Sequence, residues 1–375
     1  AQDDASLVYG FYTAFVYFTP IVGGIVSDRW LGRRRSVIIG ASVMALGHFM
    51  MMFEPLFYLA LACIALGNGL FLPSLPSQIG ALYQADDPRR VRSYNIYYVG
   101  INLGAFLAPL VCGTLGELYG WHYGFGAAGI GMLAGLLIYL LGKRHLPADP
   151  ARATMTARQS PESGGNLRLF ALLLAIGCAV VIFRAAYEQI GNTVALWADT
   201  GVNRAIGAGY VIPMTWFQSL NPLLVFALTP PLLAWWSRRA LRGREPPPLV
   251  KMALGAAGVA ASYLLLAVVS NYTGAGAQAH WLWLAAFFFL LTSAELFILP
   301  VGLGLFARLA PADMAATTIA AWFLAAFAGN LCAGALGTLW SQLSPTLFFA
   351  LMAAVAGLSA IALAVIGSVA RPPSG

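Results

Sequence analysis

Residues 182–199 read IFRAAYEQIGNTVALWAD, an apolar stretch long enough to enter a bilayer that nevertheless carries Arg184 and Glu188 four residues apart. A helix needs about 20 predominantly apolar residues to cross roughly 30 Å of hydrocarbon. Each charge near its centre costs about 2.5–3.5 kcal/mol on insertion scales. At i and i+4 the two side chains share a helix face and can pair. Two leucines would fill the same space without the desolvation cost, so the pair points to function as well as to architecture. A carboxylate beside a cation is also a proton site that a second ligand can retune.

Outward from this stretch the rest of the chain has the same character. Of 375 residues, 60% are hydrophobic and 9% charged, where a soluble domain carries about 25% charged residues. Apolar runs predict spans near 6–26, 36–53, 56–82, 94–116, 121–142, 168–198, 207–236, 249–270, 281–306, 314–340 and 344–368, eleven in all. The reading is an all-α membrane protein with the lipid bilayer as its main solvent. The net charge of +7 does not imply nucleic acid. Only Arg184 and Arg204 fall outside one alternate set of loops, which includes SDRWLGRRRS, ADDPRRVRS and SRRALRGREPPPLVK. That is the positive-inside pattern, and it puts the basic loops and the C-terminus in the cytoplasm of a multi-pass inner-membrane protein.

This orientation starts the first span outside, which predicts one further helix before residue 1 and a total of twelve. Twelve helices suggest two six-helix bundles, and an echo between TPIVGGIVSDRWLGRR from Thr19 and TPPLLAWWSRRALRGR from Thr229 supports the division. The predicted organisation is an N-terminal bundle over 1–142, a cytoplasmic linker over 143–166 and a C-terminal bundle over 167–375. Prolines 73, 76, 222, 230 and 231 are expected to break spans where a carrier bends.

Beyond Arg184 and Glu188, the mid-span ionisable group is Glu295, which lacks a partner in its own span and must face a cavity, another helix or a cation. Tyr17, Asn102, Gln218, Asn221 and Trp322 add polar and aromatic groups at helical depth. Each alone is more often a packing residue. Together with the carboxylates they can line one amphipathic cavity between the halves. The four cysteines lie singly inside spans, with no metal-ligand spacing, so no metal or cofactor is expected. A polytopic enzyme would need clustered His, Asp and Glu or a nucleophile motif, and neither is present. The reading is a carrier, not an enzyme, and a monomer.

GGIVSDRWLGRRR resembles the loop motif between the second and third helices of the major facilitator superfamily, here Gly24, Asp28, Arg29, Gly32, Arg33 and Arg34. The resemblance implies a major facilitator fold, with eleven of twelve helices in this chain, and a cytoplasmic charge latch suited to alternating access. YNIYYVGINLGAFLAPLVCGTLGELYGWHYGFGAAGIGM, YEQIGNTVALWAD, WFQSLNPLLVFALTPPL, AELFILPVGLGLFARLAP and AAWFLAAFAGN are similar to segments of the proton-dependent oligopeptide transporter family. That resemblance implies a proton-coupled symporter importing di-/tripeptides or peptide-like compounds, with protons as the coupling ion and no other cofactor.

By position, Asn102, Asn221 and Glu295 resemble the family's receptor for a peptide amino terminus. Tyr17 and Trp322 resemble pocket walls, and Gln218 stands among the substrate-facing polar residues. Glu188 and Glu295 are the implied proton-coupling carboxylates. Two positions depart from the family pattern. Leu72 stands in GLFLP where the family usually places a lysine, and Arg184 stands where it often places a tryptophan. The implied consequence is a cation moved to the seventh helix, where Arg184 attracts the cargo carboxylate or pairs with Glu188. The family's first-helix signature falls before residue 1, and the two extra helices that bacterial members often carry between the halves are not visible in 143–166. Drug/proton antiport, nitrate-type transport and a non-transporting sensor on the same fold are the alternatives.

Overall fold

The computed structural model describes residues 2–83, 87–146, 167–207, 209–274, 276–309 and 315–369. Its helices are α1 (Gln2–Val26), α2 (Arg33–Met50), α3 (Phe57–Ala81), α4 (Pro88–Ala108), α5 (Thr114–Tyr119), α6 (Trp121–Gly142), α7 (Leu167–Tyr187), α8 (Thr193–Thr200), α9 (Leu220–Leu241), α10 (Pro248–Thr273), α11 (Trp281–Leu309), α12 (Ala315–Gly337) and α13 (Pro345–Val369). Among the described residues, ten helical segments are long and apolar enough to cross a membrane. The expected span at 36–53 is present as α2, but three arginines open that helix and its 18 residues are not apolar enough by the same measure. Among the described residues, two spans each join two α-helices. A π-helical turn at Pro109–Gly113 joins α4 to α5, and a 3-10 turn at Glu188–Gly191 joins α7 to α8.

The span expected from residue 207 starts later. Short strands stand there instead: Val202–Asn203 pairs in parallel with Ala279–His280, and Ala205–Ile206 pairs antiparallel with Tyr210–Val211. Gly207 and Gly209, at φ 62° and 103°, make the reversal, and the helical span begins only at Met214. The Arg204 guanidinium ties this segment down, donating to the Ile212 carbonyl at 2.9 Å and to Asp199 at 2.7 Å.

The expected proline breaks also fall elsewhere. Helix α3 runs through Pro73 and Pro76, and α9 runs through Pro230 and Pro231. A proline leaves the carbonyl four residues earlier without its helical donor, and for Pro73 that carbonyl belongs to Gly69. It is the atom against which Gly23 of α1 packs most closely. The freed carbonyl thus lies at the contact between α1 and α3.

The chain divides into two compact units, one of residues Phe15–Pro161 and the other of Ala1–Ala14 with Glu162–Gly375. The first fourteen residues therefore group with the second half, not with the expected bundle over 1–142. The reason lies on one face of α1. A Cβ on Gly10 would sit 2.5 Å from the Gly334 Cα of α12, and Ser6 Oγ donates to Asn192 Oδ1 at 3.2 Å. Of the expected linker over 143–166, residues Lys143–His145 form a 3-10 turn and 147–166 lie outside the described residues.

Within the unit of Phe15–Pro161, the helices meet through glycine. Gly40 of α2 faces Gly67 of α3, where an added Cβ would lie 2.6 Å from the facing carbonyl oxygen in either direction. Thr19 donates to the Ala65 carbonyl at 2.7 Å and Asn68 to the Val16 carbonyl at 3.0 Å, joining α1 to α3. Lipid tails give helices no hydrophobic reason to associate, so close backbone approach and interhelical hydrogen bonds supply the cohesion. The other unit has an aromatic core. Tyr263, Phe287, Phe348 and Phe349 are fully buried, and the Tyr263 hydroxyl donates to the Ala186 carbonyl of α7 at 2.8 Å.

The Gly23 contact makes a direct prediction. Gly23→Ala puts a methyl 2.1 Å from the Gly69 carbonyl oxygen, an overpacking that costs about 1–3 kcal/mol and lowers the thermal midpoint of the purified protein. Gly135→Ala on α6, where a Cβ meets nothing within 4 Å, leaves the midpoint unchanged or raised.

Candidate functional site

The site is built around the end of α7. The helix stops at Tyr187 and the chain turns through Glu188–Gly191 before Asn192, at φ −111° and ψ −94°, restarts it as α8. A break inside hydrocarbon survives only where the freed backbone groups find partners. Here they do. Gln218 donates to the Ile190 carbonyl at 2.8 Å, and the Tyr9 hydroxyl reaches the Glu188 carbonyl at 3.5 Å. Gln189, fully buried, donates to the Ala333 carbonyl of α12 at 2.8 Å and accepts from Thr193 at 3.0 Å. At Gly191 a Cβ would meet the Tyr9 hydroxyl at 2.3 Å, so glycine lets α1 approach the turn.

On this framework Arg184, in the last turn of α7, forms an ion pair with Glu188 across one turn. The two side chains are 7% and 12% exposed, so water screens the pair little. A cation near a helix C-terminus also offsets the partial negative charge of the terminal carbonyls. Gly329 of α12 packs on the arginine stem, where an added Cβ would lie 2.3 Å from the Arg184 Cβ.

The second carboxylate, Glu295 of α11, belongs to the same cluster. Asn221 of α9 donates to Glu295 Oε2 at 2.6 Å and to Thr292 Oγ1 at 3.0 Å. Tyr187 offers its hydroxyl to the same carboxylate, and both Arg184 and Glu188 lie within electrostatic reach of it. The structure thus brings together Arg184, Glu188, Asn221 and Glu295. It adds Tyr9, Tyr187, Gln189 and Thr292, which sequence reasoning missed. Gln189 carried a signal, an amide inside an apolar span next to a charge. Tyr187 and Thr292 did not stand out from the many tyrosines and threonines of membrane helices.

The other expected site residues have different surroundings. Gln218 spends its amide on the Ile190 carbonyl and so holds the helix break. Trp322 is a core residue, 5% exposed, edge-on to Phe306 at 5.3 Å and pressed against Gly302. Tyr17, on α1, and Asn102, on α4, belong to the unit of Phe15–Pro161, both half-buried, and Asn102 donates to the Tyr98 carbonyl one turn back at 2.9 Å.

In the loop motif, a π-helical turn at Ser27–Leu31 ends α1, and Gly32, at φ 79° and ψ 154°, redirects the chain into α2. That left-handed backbone is the reason for glycine at this position. Asp28 pairs with Arg33 at 3.8 Å, and Arg33 reaches the Ser77 carbonyl of α3 at 3.5 Å. Arg34 donates to the Leu146 carbonyl, a Cβ added at Gly24 would lie 3.7 Å from the Pro73 ring, and Arg29 is exposed. The corresponding segment of the second half ends its helix at Leu241, the position equivalent to Leu31 in the internal echo.

Spans in two units, with one span broken at depth around a buried ion pair and a second carboxylate beside it, define a polytopic membrane transporter. The POT family model matches residues 34–160 and 162–350, and the chain belongs to that family. The peptide transporter YePEPT of Yersinia enterocolitica is 29% identical over 90% of this chain and 79% of its own length. A di-/tripeptide transporter of Lactococcus lactis subsp. cremoris is 30% identical over 86% of this chain and 77% of its own. Among solved structures, a peptide transporter crystallised with alafosfalin superimposes with a TM-score of 0.88 at 27% identity, covering 98% of this chain and 86% of that one.

Trp322 tests how the site is delimited. Trp322→Ala costs about 3–5 kcal/mol as a core truncation and lowers the thermal midpoint sharply, while Trp322→Phe keeps most of the stability. A Trp322→Ala protein that unfolds at the wild-type temperature would place the ring outside the core.

Proposed function

We propose that the chain imports di-/tripeptides or peptide-like compounds together with protons, by alternating access, as a monomer in the inner membrane with its C-terminus in the cytoplasm. The observation that carries the reading is the Glu295 carboxylate held by Asn221 at 2.6 Å. A peptide ammonium needs an oriented anion with lone pairs to spare. A carboxylate has about four acceptor sites, and two donors, the Asn221 amide and the Tyr187 hydroxyl, leave others free. The names of the relatives support the cargo class: a peptide transporter at 29% identity and a di-/tripeptide transporter at 30%. The basic loops on one face of the membrane support the orientation. Glu188 and Glu295, at membrane depth, are the groups available for proton coupling, and Asn102, Tyr17 and Gln218 remain candidates to face the cargo or support its site.

The test is uptake of labelled dialanine into proteoliposomes under an imposed inward proton gradient. The wild type accumulates the peptide above equilibrium, and collapsing the gradient abolishes accumulation. Glu295→Gln removes the charge that receives the ammonium and weakens peptide affinity by about tenfold or more, the scale of a lost hydrogen bond to a charged group. Accumulation that ignores the gradient would overturn proton symport. An unchanged affinity in Glu295→Gln would overturn the amine site.

A further inference from the structure

The turn between α9 and α10 carries more positive charge than its own fold uses. Arg238 and Arg239 lie in the last turn of α9, Arg242 caps it and Arg244 follows. Cations there offset the helix dipole, but the last carbonyls are answered by backbone. The Arg244 N–H donates to the Arg239 carbonyl and the Gly243 N–H to the Ala240 carbonyl, both at 2.9 Å, with Gly243 at φ 63°. That is a Schellman closure, which needs no side chain. The one carboxylate of the turn, Glu245, pairs with Lys251 of α10. Among the described residues, the side chains of Arg238, Arg242 and Arg244 make no ion pair or hydrogen bond, and all three are exposed. Two other basic segments bring their own anions: Asp28 pairs with Arg33, and Asp87 with Arg89.

The turn is also held in place. Lys251, its side chain 7% exposed, sets its Nζ 4.1 Å from the centre of the Trp236 ring while it holds Glu245. Pro246, Pro247 and Pro248 fix three successive φ angles. On α9, Trp235, Arg238, Arg239 and Arg242 stand at i, i+3, i+4 and i+7 and share one helix face. The Arg239 guanidinium lies 4.9 Å from the centre of the Trp235 ring, and that ring lies 6.4 Å from Phe297 of α11. Leu233, Trp235 and Leu241 are exposed, Leu241 at 90%. Guanidiniums at the end of a span, beside an exposed tryptophan and leucine, form an amphipathic seat at the depth where tryptophan marks the membrane interface.

We propose that this turn binds an anionic phospholipid, its phosphate on the guanidiniums of Arg238, Arg242 and Arg244 and its acyl chains against Leu233, Trp235 and Leu241. Arginine forks match phosphate oxygens two at a time, and basic clusters next to a span draw anionic lipid. A soluble phosphate would meet the same cations but has no use for the exposed leucines and tryptophan. The lipid supplies the anion that the chain does not, and it ties the ends of α9 and α10 to the bilayer surface. The seat is remote from the Glu295 cluster: Arg239 and Asn221 are 18 residues apart on α9, about 27 Å at 1.5 Å per residue. The inference rests on the proposed orientation only for the leaflet, which is then the cytoplasmic one.

The experiment titrates the purified protein in detergent with dioleoyl-phosphatidylglycerol and, separately, with dioleoyl-phosphatidylcholine, counting bound lipid by native mass spectrometry and following the thermal midpoint. The wild type binds phosphatidylglycerol about tenfold or more tighter than phosphatidylcholine, and the anionic lipid raises its midpoint. Replacing Arg242→Gln and Arg244→Gln together weakens phosphatidylglycerol binding by about fivefold for each arginine, the scale of one basic residue at an anionic surface, and leaves phosphatidylcholine binding unchanged. Arg242→Lys with Arg244→Lys keeps most of the affinity, which separates charge from folding. Lys143→Gln with Arg144→Gln removes equal charge from another basic turn and leaves the preference intact. The proposal is overturned if the Arg242/Arg244 glutamine variant binds phosphatidylglycerol as the wild type does, or if the Lys143/Arg144 variant loses as much. Displacement of the lipid by millimolar inorganic phosphate would overturn it in favour of a soluble anion. Binding in detergent is blind to orientation and to cargo, so a failure of peptide uptake or an inverted topology is read separately and leaves this result standing.

Discussion

Hydrocarbon offers no hydrogen bonds, so any carbonyl freed from a helix and any charge sunk into one must be answered by another part of the protein. The rest of this structure depends on how that requirement is met at Glu188–Gly191. The turn releases backbone groups at membrane depth: two of its carbonyls are satisfied from other elements, and its own side chains are tied to neighbouring helices. Gln218 precedes α9, Tyr9 comes from α1, Gln189 reaches to α12, and Arg184 neutralises the side chain that starts the turn. The break is therefore an organising centre. It draws the start of α1 into the second unit and sets the ion pair beside Asn221 and Glu295.

Much of the architecture was legible in the sequence because a bilayer is a demanding solvent. Ten of the expected spans meet the length and composition of a membrane crossing. The departures have local causes. Hydropathy cannot see that Gly207 and Gly209 reverse the chain between two short strands, because their neighbours are as apolar as a helix. It cannot see that α3 continues through Pro73 and Pro76, with the carbonyl of Gly69 lying at a glycine-lined seam. It also assigns residues 1–14 by chain order, whereas packing assigns them by the small-residue face of Ser6 and Gly10.

At the site, charge was the legible part. Arg184, Glu188 and Glu295 stood out because lipid makes every buried charge conspicuous. Asn221 stood out as an amide at depth, and it does hold Glu295. Residues whose side chains are ambivalent were not sorted by sequence. A tyrosine can face a ligand, cap a carbonyl or stack in a core, and Tyr9, Tyr187 and Tyr263 have three different surroundings. A tryptophan carries the same ambiguity, and Trp322 has the surroundings of a core residue.

The glycine seams at Gly23 with Gly69 and at Gly40 with Gly67 have a mechanical consequence. Where main chains touch directly, no side chain lies between them to change rotamer and let one helix creep past the other. Such joints have few intermediate settings: they are closed or they are parted. Helices α1, α2 and α3 in the unit of Phe15–Pro161 are consequently riveted, and a force applied to one is borne by all three without slack.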